Sequence, residues 1–285
     1  MNHVDRINRV LEYIEANLDT NIDLGLLADK CALSRYHFHR VFKALVGEKP
    51  LRYVENRRLS RACNDLLNSD KRIIDIAFDY GFQSHESFIR AFKKTYSLPP
   101  SQFRKVRPRV TLQDMCKIGS LDLKLSNGIA KPNPTILHKP AFSITGLTYS
   151  GHDTSAINRL WERFCKILKT GNFKVDKNQY LGVCFHDMDM RNNEVFEYYA
   201  GFESILSMDI PKDMKMLHIP ENDYAVFTHQ GPVDKIEMTY NQIYGHWLLL
   251  TEYIPTMDLD IIVIDNLFSG NKDSSEVDIL IPVNR

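Results

Sequence analysis

Cysteine is scarce and scattered in this 285-residue chain: Cys31, Cys63, Cys116, Cys165 and Cys184 form no C-x-x-C pair. That spacing excludes a zinc finger or a dense disulfide scaffold and fits reduced, mostly buried thiols. No apolar run approaches the ~20 residues that would span a bilayer, so no membrane partner is expected. The first residues, MNHVDRINRV, lack the basic-then-apolar layout of a signal peptide, and the cytoplasm is the expected location. Histidines show no metal-ligand spacing, and neither G-x-S-x-G nor H-E-x-x-H occurs. No metal, cofactor or catalytic residue is therefore expected. Net charge is also absent, yet the zero hides an asymmetry. Residues 1–110 carry 20 Lys and Arg against 13 Asp and Glu, a surplus of +7; residues 111–285 carry 16 against 23, or −7.

What is present fits a folded protein of two domains: 44% apolar and 25% charged residues, with length for two separate cores. A basic half joined to an acidic half suggests a nucleic-acid-binding domain fused to one that does not bind nucleic acid. The alternative from composition alone is two ordinary solvated surfaces.

The basic half opens with a helical stripe, Ile7, Val10, Leu11, Ile14 and Leu18. A duplication follows. Ser34, Phe38, Arg40, Phe42, Lys43 and Pro50 each recur fifty positions later, as Ser84, Phe88, Arg90, Phe92, Lys93 and Pro100. Each copy reads as a short helix with a small inward residue (Ala28, Ala77), a turn, a serine N-cap and a second helix burying aromatics. The outward residues of the first copy's second helix are Arg35, Tyr36, His39, Arg40 and Lys43. In the second copy they are His85, Glu86, Ser87, Arg90, Lys93 and Lys94. Such faces supply guanidinium for guanine, short polar groups for base edges and lysines for phosphates. Taken singly, each residue is equally explained as part of a solvated face; Glu86 suits either cytosine or the positive end of its helix. Between the copies, residues 51–67 read as one helix of roughly 25 Å, able to hold two recognition helices about one DNA turn apart.

Residues 1–107 resemble the AraC/XylS DNA-binding domain. The resemblance runs through LGLLADKCALSRYHFHRVFKALVGEKPLRYVENRRLSRA and closes on Gly81, Phe82, Ser84, Phe88, Arg90, Phe92, Lys93, Pro100 and Arg104. It implies an all-α domain with a duplicated helix-turn-helix. Tyr36, His39 and Arg40 would enter one major groove, and Glu86 and Arg90 the next. Double-stranded DNA is then the partner, with RNA polymerase expected beside it.

Residues 108–134, rich in proline and carrying an S-N-G cluster, read as a linker in which LDLKL is a possible strand. Beyond it a fainter repeat emerges. AFSITGLTYSG reads as strand before a helix with Ile157, Leu160, Trp161, Phe164 and Leu168; NDYAVFTHQG precedes a helix with Ile236, Tyr240, Ile243 and Trp247. YLGVCF and FEYYAGFE follow the first helix, LDIIVID and EVDILIPV the second. The expected fold is α+β, built from two strand–helix–strand–strand units over residues 135–285.

This half resembles the GyrI-like effector-binding domain, on Gly146, Tyr149, Gly151, Leu160 and Trp161, on Tyr224 to Pro232, on Ile243 to Leu248, and on Glu276 to Val283. The resemblance implies a cleft for a small aromatic or apolar molecule, with Tyr149, Trp161, Trp247, Asp260 and Ile262 as pocket residues. On helical and strand pattern alone Trp161 and Trp247 read more readily as core, and Tyr149 equally as a surface strand residue. Relatives keep a buried glutamate there for organic cations; here Ile262 takes its position, with Asp260 two residues earlier on the same strand face. Either the carboxylate has moved to Asp260 or the pocket is neutral. The leading expectation is a DNA-binding transcription regulator that senses a small molecule. The alternatives are a hydrolase of the GyrI-like type fused to a DNA-binding domain, and a ligand-free domain for protein contacts. His229 is expected to be a hydrogen-bonded strand residue.

Overall fold

The computed structural model describes residues 3–108, 132–151, 153, 155–170, 179–187, 195–204, 210–265 and 275–285. Cys116 and the possible LDLKL strand lie outside them. The chain divides into two compact units.

The N-terminal unit is helical: α1 (His3–Ala16), α2 (Leu24–Cys31), α3 (Arg35–Val46), α4 (Pro50–Asn68), α5 (Ile73–Asp79), α6 (His85–Tyr96) and α7 (Pro100–Val106). Short polar side chains start the key helices. Asp23 accepts from the Leu26 N–H at 2.9 Å, and Ser34 from the His37 N–H at 3.3 Å. Ser84 accepts from the Ser87 N–H at 3.1 Å, while Ser87 Oγ accepts from the Ser84 N–H, a reciprocal capping box. Each such cap contributes about 1 kcal/mol.

Helix α4 starts with Pro50 and buries Val54, Leu59, Ala62, Cys63 and Leu66. Its first half receives α1 and α3. The Tyr53 ring meets Phe42 edge-on at 5.7 Å, and the almost fully buried Arg57 donates to both Glu15 oxygens at 2.6 and 3.2 Å. Its second half packs Leu59, Ala62, Cys63 and Leu66 against Ile76, Ala77, Phe88, Phe92 and Phe103. Two of the last carbonyls of α4 are met by guanidinium groups, Leu66 O by Arg104 and Leu67 O by Arg107, and Arg104 also donates to Lys71 O beyond the helix end. The signature's closing arginine thus ends a helix.

The two copies differ by one residue. The turn is closed by Leu33 N–H on Ala28 O in the first and by Phe82 N–H on Ala77 O in the second, an offset of 49, whereas the capping serines are 50 apart. The second turn therefore holds one extra residue. The left-handed position is Ala32 in the first copy (φ 51°) and Gly81 in the second (φ 71°).

The C-terminal unit is mainly sheet: β1 (Thr135–Lys139), β2 (Phe142–Gly151), α8 (Ser155–Thr170), β3 (Gln179–Asp187), β4 (Val195–Ser204), β5 (Lys215–Ile219) and β6 (Asn222–Gln230) come first. Helix α9 (Ile236–Gln242) follows, continuing through a π turn at Ile243–Trp247 to Leu250, and then β7 (Ile254–Pro255), β8 (Leu259–Asp265) and β9 (Glu276–Asn284). The pairings among described residues are antiparallel, in the order β1-β6-β9-β8-β3-β4-β2-β5, with β7 against β9. The strands expected from the sequence are present; β1, β5 and β7 were not foreseen.

The connections force this sheet to curl. β5 and β6 stand six places apart, about 29 Å in a flat sheet at ~4.8 Å per strand. Only Pro220 and Glu221 join them, a link of at most ~11 Å. Pro140 and Ala141 join β1 to β2 across the same span. The ends of the sheet are therefore drawn together around a shared core that holds Phe142 and Ile144 of β2, Ile219 of β5, Tyr224 of β6 and Ile261 of β8. The other face carries both helices. α8 lays Leu160, Phe164 and Cys165 on Leu147, Phe196, Tyr198, Ala200 and Phe202, and α9 sets Trp247 against Phe227 of β6 at 5.0 Å.

Candidate functional site

On α6 the aromatic side is buried through Phe88 and Phe92, which turns the opposite row outward. Glu86, Arg90 and Lys94 follow one another at four-residue spacing, so they stack one helical turn apart along that row. All three are exposed, as is Lys93, and His85 is half-buried. Glu86 accepts from its own N–H and from the Ser84 hydroxyl, which holds its carboxyl below the usual range. In this state it acts as a first-turn carboxylate.

The equivalent face of α3 differs. Arg35 is exposed, and its guanidinium folds back over Gly25, where a Cβ would lie 2.9 Å from Nη2. His39, Arg40 and Lys43 are half-buried. Tyr36, expected outside, is only 1% exposed, which corrects its assignment as a projecting base reader. Among the neighbours enclosing it are the His37 ring, edge-on at 4.9 Å, and the Arg40 guanidinium, one turn ahead and 5.6 Å from the ring centroid. Periodicity assigned Tyr36 to the outward side of the helix, where the structure buries it.

In the C-terminal unit one row of strand partners crosses the sheet: Tyr149 on β2, Tyr198 on β4, Cys184 on β3 and Asp260 on β8. The next row joins Phe227, Ile279, Ile262 and Gly182. Cys184 belongs to the core under α8, while Asp260 accepts a hydrogen bond from the Tyr240 hydroxyl of α9. The strip of β3 and β8 bearing them thus lies between the ground covered by α8 and that covered by α9, and is the candidate furrow for a ligand. Along it Ile262, Cys184 and Trp161 are half-buried, and Asp260 and Gly182 are buried.

Asp260 is 1% exposed, and burial pushes its pKa up to about 8, so near neutral pH the acid form dominates. Trp161 donates to Tyr198 Oη at 3.2 Å, on the α8 side of the furrow. Gly182 leaves room there, since a Cβ would come within 2.1 Å of that hydroxyl. Two sequence candidates sit further out. Trp247 stacks on Tyr253 at 6.1 Å above β6. Tyr149 accepts from the Asp153 N–H at 3.1 Å, three strand positions from Asp260 or roughly 14 Å. Tyr198, Tyr240, Cys184 and Gly182 were not singled out from sequence; the two-residue alternation of their strands, aligned across β3, β4 and β8, was the available signal for all but Tyr240. His229 is a structural strand residue, with Nε2 on Pro232 O at 3.0 Å and Nδ1 on Thr239 Oγ1 at 2.7 Å.

Helical repeat, caps and charged rows define a helix-turn-helix unit, and a matching family model described as a helix-turn-helix domain covers residues 27–106. A second model, described as a GyrI-like small molecule binding domain, covers residues 132–284, more than half of the chain. The chain belongs to the GyrI-like family and carries an AraC-type helix-turn-helix domain ahead of that module. It is similar to the uncharacterized HTH-type transcriptional regulator YbfP of Bacillus subtilis, 39% identical over 105 residues, 37% of this chain and 36% of that protein. The transcriptional regulator BrlR of Pseudomonas aeruginosa is 34% identical over 150 residues, 52% of this chain and 54% of that protein. The probable transcription factor PqrA of Proteus vulgaris is 38% identical over 101 residues, 35% of this chain and 83% of that protein. The chain thus spans about a third of YbfP and half of BrlR.

Proposed function

We propose that this chain is a sequence-specific DNA-binding transcription regulator whose C-terminal domain senses a small apolar or aromatic molecule. The duplicated, serine-capped helix-turn-helix carries this reading, with Glu86, Arg90 and Lys94 forming one exposed row on α6. In it α6 reads base edges through Arg90 and meets phosphates through Lys93 and Lys94. Arg35, His39, Arg40 and Lys43 serve the neighbouring groove from α3. A single chain then supplies two readers for successive major grooves. RNA polymerase is the further partner such a regulator engages, and chromosomal DNA sets its place of action in the cytoplasm.

For the sensing domain, β2-α8-β3-β4 and β6-α9-β8-β9 are two copies of one strand–helix–strand–strand unit; the mirrored strand order about β3 and β8 supports this. The ligand lies in the furrow between the two helices, over Ile262, Gly182 and Cys184, with Trp161 as one wall. A buried acid group suits a neutral ligand with a hydrogen-bonding atom better than a cation, because an ionised carboxylate there is costly. Binding rather than turnover is the role; His229 has both ring nitrogens occupied, one by Pro232 O and the other by the Thr239 hydroxyl of α9.

The test uses the full chain on DNA selected from a random pool, together with thermal shifts against cationic, neutral and anionic aromatics. Expected are an asymmetric footprint of about two helical turns with one chain bound, strong salt dependence, and stabilisation by neutral aromatics. A palindromic footprint with two chains removes the single-chain reading. Tight binding of cations by the wild type, lost in Asp260→Asn, replaces the neutral pocket with a charged one.

A further inference from the structure

The two helix-turn-helix halves share α4 but pack on different stretches of it, the first around Tyr53, Val54 and Arg57 and the second from Leu59 to Leu66. Apolar burial is itself non-directional, and ridge-into-groove packing still leaves about 15–20° of freedom in a crossing angle. A polar group with fixed directions, bonded at the junction, would set the angle.

Arg58 stands at that junction. Its guanidinium donates from Nε to Leu18 O at 2.9 Å and from Nη2 to Thr20 O at 2.5 Å, both in the segment between α1 and α2. Burial lowers the pKa of this guanidinium, an effect that Asp19, in the same segment, partly offsets. On its other side it lies against Gly81, where a Cβ would be 3.1 Å from Cζ and from Nη2. Gly81 sits in the left-handed turn that leads into Ser84, the cap of α6. The α1–α2 segment leads just as directly into Asp23, the cap of α2. One planar group therefore touches the segment that enters the first helix-turn-helix motif and the turn inside the second. Lysine could not replace it, because a point charge on a flexible stem lacks the rigid fork that addresses two carbonyls at once.

We propose that Arg58 is a positioning residue that sets the angle between α3 and α6, and hence the spacing of the two half-sites that the chain accepts on DNA. This rests on the reading that both helices enter the major groove. Arg58 contacts no base in this role; it acts through the relative placement of the two motifs.

The experiment measures binding of the full chain to its selected duplex, to each half-site alone, and to duplexes with one base pair inserted or removed between the half-sites. One base pair shifts the second half-site by ~3.4 Å and turns it by roughly 35°. The wild type should lose about tenfold or more on such duplexes, in the range of a mismatched base pair. Arg58→Met should bind each half-site as the wild type does, gain less from having both, and lose under about threefold on insertion. Arg58→Lys, which keeps the charge and the fold, should fall between the two. Gly81→Ala, which presses a Cβ on the guanidinium from the other side, should loosen spacing as Arg58→Met does. A full insertion penalty in Arg58→Lys and Arg58→Met overturns the proposal, as does an equal loss on half-sites and full site. A wild type without any insertion penalty instead removes the two-groove reading on which it rests.

Discussion

Replacing Asp260 by asparagine should change how the C-terminal unit responds to pH. In the folded chain the carboxyl is buried against Tyr240 with its pKa pushed up to about 8, whereas an unfolded aspartate titrates near ~3.9. Between those values the folded state keeps a proton that the unfolded state releases. Stability from this group is thus fully present below about pH 4 and is lost as pH rises towards 8. The slope is roughly 1.4 kcal/mol per pH unit, so about 4 kcal/mol disappears between about pH 5 and pH 8. At about 2–4 °C per kcal/mol for a unit of this size, that is a fall of about 10 °C in Tm. The asparagine side chain keeps an oxygen for the Tyr240 hydroxyl and carries no ionisable proton, so the variant lacks this slope. Any cost of its amide group is a constant offset. The chain's two tryptophans, Trp161 and Trp247, both lie in this unit, so intrinsic fluorescence during urea or thermal unfolding follows it selectively. The difference between variant and wild type should move in the variant's favour by about 4 kcal/mol from pH 5 to pH 8. A difference that stays flat across that range, or a wild type that gains on the variant as pH rises, refutes the buried-acid assignment.

Arg90→Ala should cost about 1–3 kcal/mol on the selected duplex and far less on random DNA if the guanidinium pairs with guanine; equal losses in a competition titration make it a phosphate contact. Tyr36→Ala should destabilise the N-terminal unit by roughly 3 kcal/mol in urea unfolding followed by far-ultraviolet circular dichroism. A loss of DNA binding at unchanged stability would instead return that ring to the interface. Gly182→Ala should cost about 1–3 kcal/mol through overpacking against Tyr198, with a shift in tryptophan emission as the Trp161 bond moves; unchanged emission and stability would mean that the furrow floor has slack.

Much of the helical unit was legible because its determinants are local. Ser34 and Ser84 cap within three residues, and the buried phenylalanines recur at helical spacing, so the motif is written in neighbouring positions. Tyr36 shows the limit. Helical phase gives the direction of a side chain, but not which neighbours, Arg40 and His37 among them, enclose it. In the other unit the longer strands and both helices announced themselves by alternation and amphipathic spacing. β1 (TILHK) and β5 (KMLHI) are five residues long and too mixed in polarity to alternate clearly. The π turn at Ile243–Trp247 changes the hydrogen-bond ladder without altering the apolar pattern. Asp260 was found by counting two residues from Ile262; its partner Tyr240 lies on another element, twenty positions away.

The edge strands of the curled sheet carry one more consequence. β1 lies just before β2 in the chain but pairs with β6, and β5 lies just before β6 but pairs with β2. Each half of the domain thus wears a border woven from the other half's thread. A cut between β4 and β5 would leave two fragments, each with an unfilled margin that only its counterpart supplies, so the halves are a pair by construction and neither is a module that evolution or an engineer can move alone. The same exchange, made between two separate chains, would be an intertwined dimer; here it is folded into one polypeptide, and the furrow runs along the seam where the two partners meet.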